Sequence, residues 1–136
     1  MGLFTNFNIS GSAISAQSLR LNTIASNLAN VETIAGSEDQ AYRSRQPVFQ
    51  AMLGDAGKPG EVGVHMLGIV ESNKAVGRRY DPGHPLANEE GYVFGSNVNP
   101  IEEMANMISA SRAYQNNVEV MNTSRDLLMR VLSLGN

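Results

Sequence analysis

The chain has 136 residues, of which 42% are hydrophobic and 17% charged, a length suited to a single domain and a charge content below the usual quarter or so. That composition excludes a charged disordered tail and a membrane bundle, and a net charge of −3 argues against a nucleic-acid binder, which needs a clustered basic surface to neutralise phosphates. There is no cysteine, so disulfides, thiolate metal ligands and a cysteine nucleophile are excluded.

Glycine and proline divide the sequence into three parts. Ten of the 13 glycines and four of the 5 prolines lie between Gly36 and Asn97, which predicts a helix–irregular–helix order. The opening residues, MGLFTNFNIS, contain no basic residue and no apolar run long enough for a secretory signal or a membrane span. Any export is therefore expected to use a route without a cleaved leader.

A first helix is predicted from about Leu3 to Glu32. Ile14, Gln17, Leu21, Ile24, Leu28 and Val31 recur at alternating spacings of three and four, a narrow apolar stripe with one polar lapse. Most of the remaining surface is Ser and Asn, whose side chains compete for backbone partners. Gly11 costs roughly another 1 kcal/mol inside a helix. Such a helix is expected to form only when packed.

The centre reads as short strands. Gln46–Leu53 and Val62–Val70 have strand character, and Tyr92-Val93-Phe94 follows a turn at Asn88-Glu89-Glu90-Gly91. These predict a small β-hairpin or sheet, too poor in large apolar residues to carry a big core.

Chemistry is sparse in this region. Gly54-Asp55-Ala56-Gly57-Lys58-Pro59 looks like a phosphate loop but has the wrong glycine spacing and a proline where magnesium needs a hydroxyl. Asp81, His84, Glu89 and Glu90 together offer carboxylates and an imidazole, which a metal or acid–base site would use. The Pro82-Gly83 pair between them makes a tight turn the simpler account. Arg43, Arg45, Arg78 and Arg79 with Tyr42 and Tyr80 form a basic-aromatic set, read as solvated strand residues. His65 has no companion motif.

The second helix starts with a strong signal, Asn99-Pro100-Ile101-Glu102. Asn caps, Pro fits the first turn, and Glu at the third helical position suits a capping box. No breaker follows until Gly135, so about 35 residues spanning roughly 50 Å are expected, longer than a compact globule of this chain and hence an elongated fold. One seam carries Met104, Met107, Tyr114, Val118, Met121, Leu128 and Leu132, interrupted by Ser111 and Arg125. A neighbouring seam holds Ile101, Ile108 and Met129. If one pairs with the first helix, the other needs a further partner: a wide bundle core and oligomerisation both fit, and the methionines suit either.

The two ends carry a resemblance. Ser10-Gly11-Ser12-Ala13 followed by Leu21-Asn22-Thr23-Ile24-Ala25-Ser26-Asn27-Leu28-Ala29-Asn30 is similar to the N-terminal signature of bacterial flagellar rod and hook proteins. Asn97-Val98-Asn99-Pro100, Glu102-Glu103-Met104 and Ser111-Arg112-Ala113-Tyr114-Gln115 resemble their C-terminal signature. Tyr80-Asp81-Pro82-Gly83-His84-Pro85, Glu90-Gly91-Tyr92-Val93 and the short length resemble the proximal rod members.

The resemblance implies an α+β fold: long terminal helices (residues 1–35 and 98–136) paired as an elongated coiled-coil-like core, with a small β-rich insertion (36–97). It implies a non-enzymatic, torque-transmitting subunit of the basal-body rod, exported unfolded by the flagellar type III apparatus and assembled in the periplasm, with no cofactor, metal, nucleic acid or membrane insertion. Its implied partners are copies of itself, the other proximal rod proteins (FlgB, FlgF), the distal rod protein (FlgG) and the adapter at the export gate (FliE). The assembly interface is then expected along Ile14, Leu21, Ile24, Asn27, Leu28, Asn30 and Val31 of the first helix. On the second it is expected along Met104, Met107, Ile108, Tyr114, Val118, Met121, Leu128 and Leu132. The rivals are another flagellar axial subunit of the rod or hook type, a small hydrolase or metal protein built on Asp81, His84, Glu89 and Glu90, and a partner-binding module such as a secretion chaperone.

Overall fold

A computed structural model describes residues 3–52 and 62–135. Leu53, the end of the first predicted strand, and the phosphate-loop-like stretch 54–59 lie outside them. Helix α1 (Leu3–Ala29) is followed by strands β1 (Ile34–Ala35), β2 (Arg45–Met52), β3 (Gly63–Glu71), β4 (Arg78–Tyr80) and β5 (Tyr92–Gly95), then helix α2 (Pro100–Leu134). This is the α+β order expected, with helices at both ends and strands between.

The helix boundaries follow from local chemistry. Helix α1 stops short of Glu32 because Asn30 turns back on it: the Asn30 side-chain amide donates to Ser26 O at 2.8 Å and Thr33 Oγ1 donates to Asn30 O at 2.7 Å. At the other end Asn99 Oδ1 accepts from the amides of Ile101 (3.1 Å) and Glu102 (3.4 Å), satisfying donors that the first helical turn leaves free. From that cap α2 runs for 35 residues, about 50 Å at the standard rise.

The strands form two sheets. In the three-stranded sheet β5 is central, antiparallel to β1 (Ile34 opposite Gly95) and to β4 (Arg79 opposite Val93). Val93 is 1% exposed. Between β4 and β5 the Asn88 side chain accepts from the amides of Glu90 (3.1 Å) and Tyr92 (2.8 Å). Gly91 closes that turn at φ 82°, and a Cβ there would stand 2.8 Å from the Tyr80 ring; glycine is the residue that tolerates both. Strands β2 and β3 pair as a two-stranded sheet. The two-residue β1 was not predicted, being too short to show a period.

The chain divides into two compact units. The first comprises Met1–Leu21, Pro47–Gly68 and Ile108–Asn136; the second comprises Asn22–Gln46 and Ile69–Met107. In the first unit the buried positions are small: Ser10, Ala16, Gly63, Ala110 and Ser124. A Cβ on Gly11 of α1 would meet the Met121 methyl of α2 at 3.7 Å, and one on Gly63 of β3 would meet Ser12 Oγ at 2.9 Å. Ser12 Oγ also accepts from Val64 N at 3.2 Å, so here the elements meet through small side chains and one cross-segment hydrogen bond. The second unit buries Thr23, Ile24, Asn27, Ala41, Ser44, Val93, Val98 and Glu103.

On α2 the inward stripe is Glu103, Met107, Ala110, Tyr114, Asn117, Met121, Ser124 and Leu128, all buried or half-buried, at alternating spacings of four and three. Four of the seven apolar residues of the seam read from the sequence lie on it: Met107, Tyr114, Met121 and Leu128. The other three, Met104, Val118 and Leu132, lie off it. Met104 and Leu132 are 57% and 60% exposed, Val118 is half-buried on the flank, and Ala110, Asn117 and Ser124 take the inward positions. Close approach to a neighbouring element favours small side chains, whatever their hydropathy.

Candidate functional site

Two features of this fold offer function. One is a polar cluster in the second unit; the other is the outward surface of the helices.

The polar cluster centres on Asn27, on the last turns of α1 and 1% exposed. Its Nδ2 donates to Arg45 O at 2.8 Å and to Ser44 Oγ at 3.4 Å; its Oδ1 accepts from Arg45 N and from Tyr42 OH, each at 2.9 Å. All four hydrogen-bonding positions of the amide are therefore used. Ser44 extends the cluster: its amide donates to Asn97 Oδ1 at 2.6 Å and its hydroxyl to the buried Glu103 carboxylate at 3.5 Å. Asn97 Nδ2 donates in turn to Lys74 O at 2.9 Å and Ser72 O at 3.3 Å. The end of α1, the segments flanking β2 and β3, and the start of α2 are thus tied by side-chain amides and hydroxyls. The cluster is a structural latch: each polar group it buries is answered by another.

The residues singled out for chemistry serve turns. The Asp81 carboxylate meets Arg79 Nη2 at 3.3 Å. His84 N donates to Asp81 O at 3.1 Å, and His84 Nδ1 accepts from Leu86 N at 3.1 Å. Glu89 and Glu90 are exposed in the following turn. Among the described residues no three metal-ligating side chains come together. The basic-aromatic set is likewise dispersed into local pairs: Arg45 meets Glu71 at 3.3 Å and lies over Tyr42, Arg43 meets Glu38 at 3.6 Å, and Arg78 lies 4.2 Å over Tyr92.

The helix surfaces are different. Ile101 is 78% exposed, and Met104, Ile108, Met129 and Leu132 are each more than half exposed. Of the interface residues expected on α1, Ile24 and Asn27 are buried in the second unit itself, while Ile14, Leu21, Leu28, Asn30 and Val31 are half-buried. Covering one large apolar side chain contributes about 1.5–3 kcal/mol, so these outward residues hold ample free energy for association. Among the described residues no helix is long and apolar enough to cross a membrane. Sequence reasoning missed the Tyr42, Ser44 and Glu103 members of the latch, because polar residues in a loop and a first helical turn look solvated until their partners are placed.

Comparison with known proteins bears on both features. Residues 7–34 match the family model described as flagella basal body rod protein, and residues 89–134 match that of the flagellar basal body rod FlgEFG protein C-terminal. The chain is 46% identical over 137 residues to the flagellar basal-body rod protein FlgC of Salmonella typhimurium, and 45% identical over 135 residues to that of Escherichia coli O157:H7. It is 33% identical over 150 residues to FlgC of Bacillus subtilis. Each alignment covers 99% of both chains.

Proposed function

The chain belongs to the FlgC family of flagellar basal-body rod proteins, and on that premise we propose how this structural subunit of the rod does its work. Residues 1–35 and 98–136 act as the rod core, with 36–97 as an outer piece. The subunit meets copies of itself and the neighbouring rod components FlgB, FlgF, FlgG and FliE through its helices. It reaches the periplasm unfolded, through the flagellar export apparatus and without a cleaved leader. It turns over no substrate; its mechanism is packing.

The observation that supports this reading is the set of large apolar side chains that α2 leaves uncovered, Ile101, Met104, Ile108, Met129 and Leu132. A latched second unit supplies a fixed frame, and the uncovered helix faces supply the adhesion. Torque passes along such an assembly because each contact is buried and repeated, so a small defect per contact compounds.

The test is complementation of a strain lacking the gene. The native chain restores rods and swimming. Val118→Glu places a carboxylate on the half-buried flank of α2, where burial without a partner costs several kcal/mol or so, and leaves cells without rods. Glu119→Gln, at an exposed position, restores swimming. Rods and swimming in the strain lacking the gene would refute the function; swimming with Val118→Glu would refute only this choice of interface.

A further inference from the structure

The chain has seven methionines and no cysteine, so thioethers are its most readily oxidised groups. The fold divides those among the described residues by exposure. On α2 Met104 is 57% exposed and Met129 62%, whereas Met107 and Met121 of the same helix are half-buried. The shelter of Met121 has a visible cause. Its methyl group rests against Gly11 of α1, 3.7 Å from where a Cβ on that glycine would stand. Met66 of β3 is half-buried as well. Met52 is partly exposed, but its methyl end is turned toward Gly63, 3.5 Å from the corresponding point there. Met104, in the second unit, and Met129, in the first, are therefore the two thioethers the fold leaves most open to water.

Oxidation changes what these side chains can do. A thioether is polarisable and apolar, and suits a contact from which water is excluded. A sulfoxide is polar and accepts hydrogen bonds. In water that acceptor is satisfied; pressed against an apolar neighbour it is left without a partner. Met104 and Met129 belong to the uncovered apolar set of α2, so the same two atoms that face the oxidant in a free copy are needed dry when copies assemble.

We propose that Met104 and Met129 are modification sites of the folded, unassembled subunit, that hydrogen peroxide converts them to methionine sulfoxide, and that a copy so modified does not join the rod. A sulfur lone pair forms the new S–O bond as the O–O bond of the peroxide breaks. Sulfur is oxidised by two electrons, the peroxide is reduced by two, and the proton on the transferred oxygen passes to the departing hydroxide, which leaves as water. Sulfoxide reductases, one for each epimer, return the thioether, so the change is a reversible gate on assembly. The inference rests on the rod reading for its effect on assembly, and on exposure alone for the choice of residues.

Two measurements and one variant test it. The purified full-length chain is treated in dilute solution with hydrogen peroxide, and fragment mass spectra locate the added oxygen. Met104 and Met129 are modified about fivefold or more faster than Met107 and Met121; equal rates at the four positions overturn the proposal. Cells lacking the native gene and supplied with the full-length chain then receive a brief peroxide pulse while rods form. The sulfoxide fraction at Met104 and Met129 is about tenfold or more lower in isolated basal bodies than in exported copies outside them; the same fraction in both pools overturns the proposal. Met104→Gln combined with Met129→Gln separates exclusion from shelter inside a finished rod, because its side chains are polar before assembly begins. With a native urea midpoint, this variant forms rods at about a tenth or less of the native number, and native numbers overturn the proposal. If the variant does not fold, the comparison of the two pools decides. Rods formed in the absence of this chain would instead overturn the rod reading and leave the peroxide rates of the purified chain standing.

Discussion

Removing the Asn27 amide should be among the most damaging small changes available to the chain. Asn27→Ala deletes three hydrogen bonds of 2.8–2.9 Å and a longer one of 3.4 Å. Each short bond is worth about 1 kcal/mol net, and the Tyr42 hydroxyl and Arg45 peptide are left to find water. Alanine's better helix propensity returns roughly 0.6 kcal/mol. The net loss is therefore about 3 kcal/mol, a large part of the roughly 5–15 kcal/mol that holds a domain together. That corresponds to a melting point lower by about 10 °C for a chain of this size. Urea unfolding of the purified full-length protein, followed by circular dichroism, measures it. Asn30→Ala is the comparison: its side chain makes one bond, to Ser26 O one turn back, and its loss should cost less than about 1 kcal/mol. Equal shifts for the two variants would mean that the Asn27 cluster is not what closes the second unit.

Further expectations follow from single positions. Gly91→Ala, which puts a methyl group 2.8 Å from the Tyr80 ring at a φ of 82°, should destabilise by about 1–3 kcal/mol, read from the same urea midpoint. Ala110→Leu enlarges a side chain that is 0% exposed and should cost about 1–3 kcal/mol, whereas Met104→Leu on the outward face should leave the midpoint unchanged. Asn99→Ala removes the cap of α2 and should cost about 1 kcal/mol, with faster amide exchange confined to Ile101 and Glu102. His84→Ala loses one turn hydrogen bond, to Leu86 N, and should leave swimming in soft agar unaffected.

Much of the fold could be read before any coordinates. The concentration of glycine and proline between Gly36 and Asn97 separates the helices from the strands, and Asn99-Pro100 marks the start of α2 because capping is local chemistry. The phase of α2 was harder. Hydropathy selects Met104, Val118 and Leu132, yet Ala110, Asn117 and Ser124 face inward, since a close approach between elements is decided by size and hydrogen bonding. Asn27 illustrates the same limit. As sequence it is one polar residue among many in a polar helix, listable as an interface residue only through its place in a signature. Its partners Tyr42, Ser44 and Arg45 lie 15–18 residues away, beyond the reach of any periodicity.

The near-absence of charge on α1 bears on how the assembled shaft responds to its surroundings. Dissolved ions weaken contacts between charged groups, over a range of about 8 Å at physiological ionic strength. A contact made by the exposed, uncharged side of α1, with Phe4, Asn8, Ser15 and Leu19, offers them nothing to screen. Strongly hydrated salts act on it in the opposite sense, favouring burial of apolar surface. A contact of that kind keeps its strength from dilute to saline media, where one held by ion pairs would slacken.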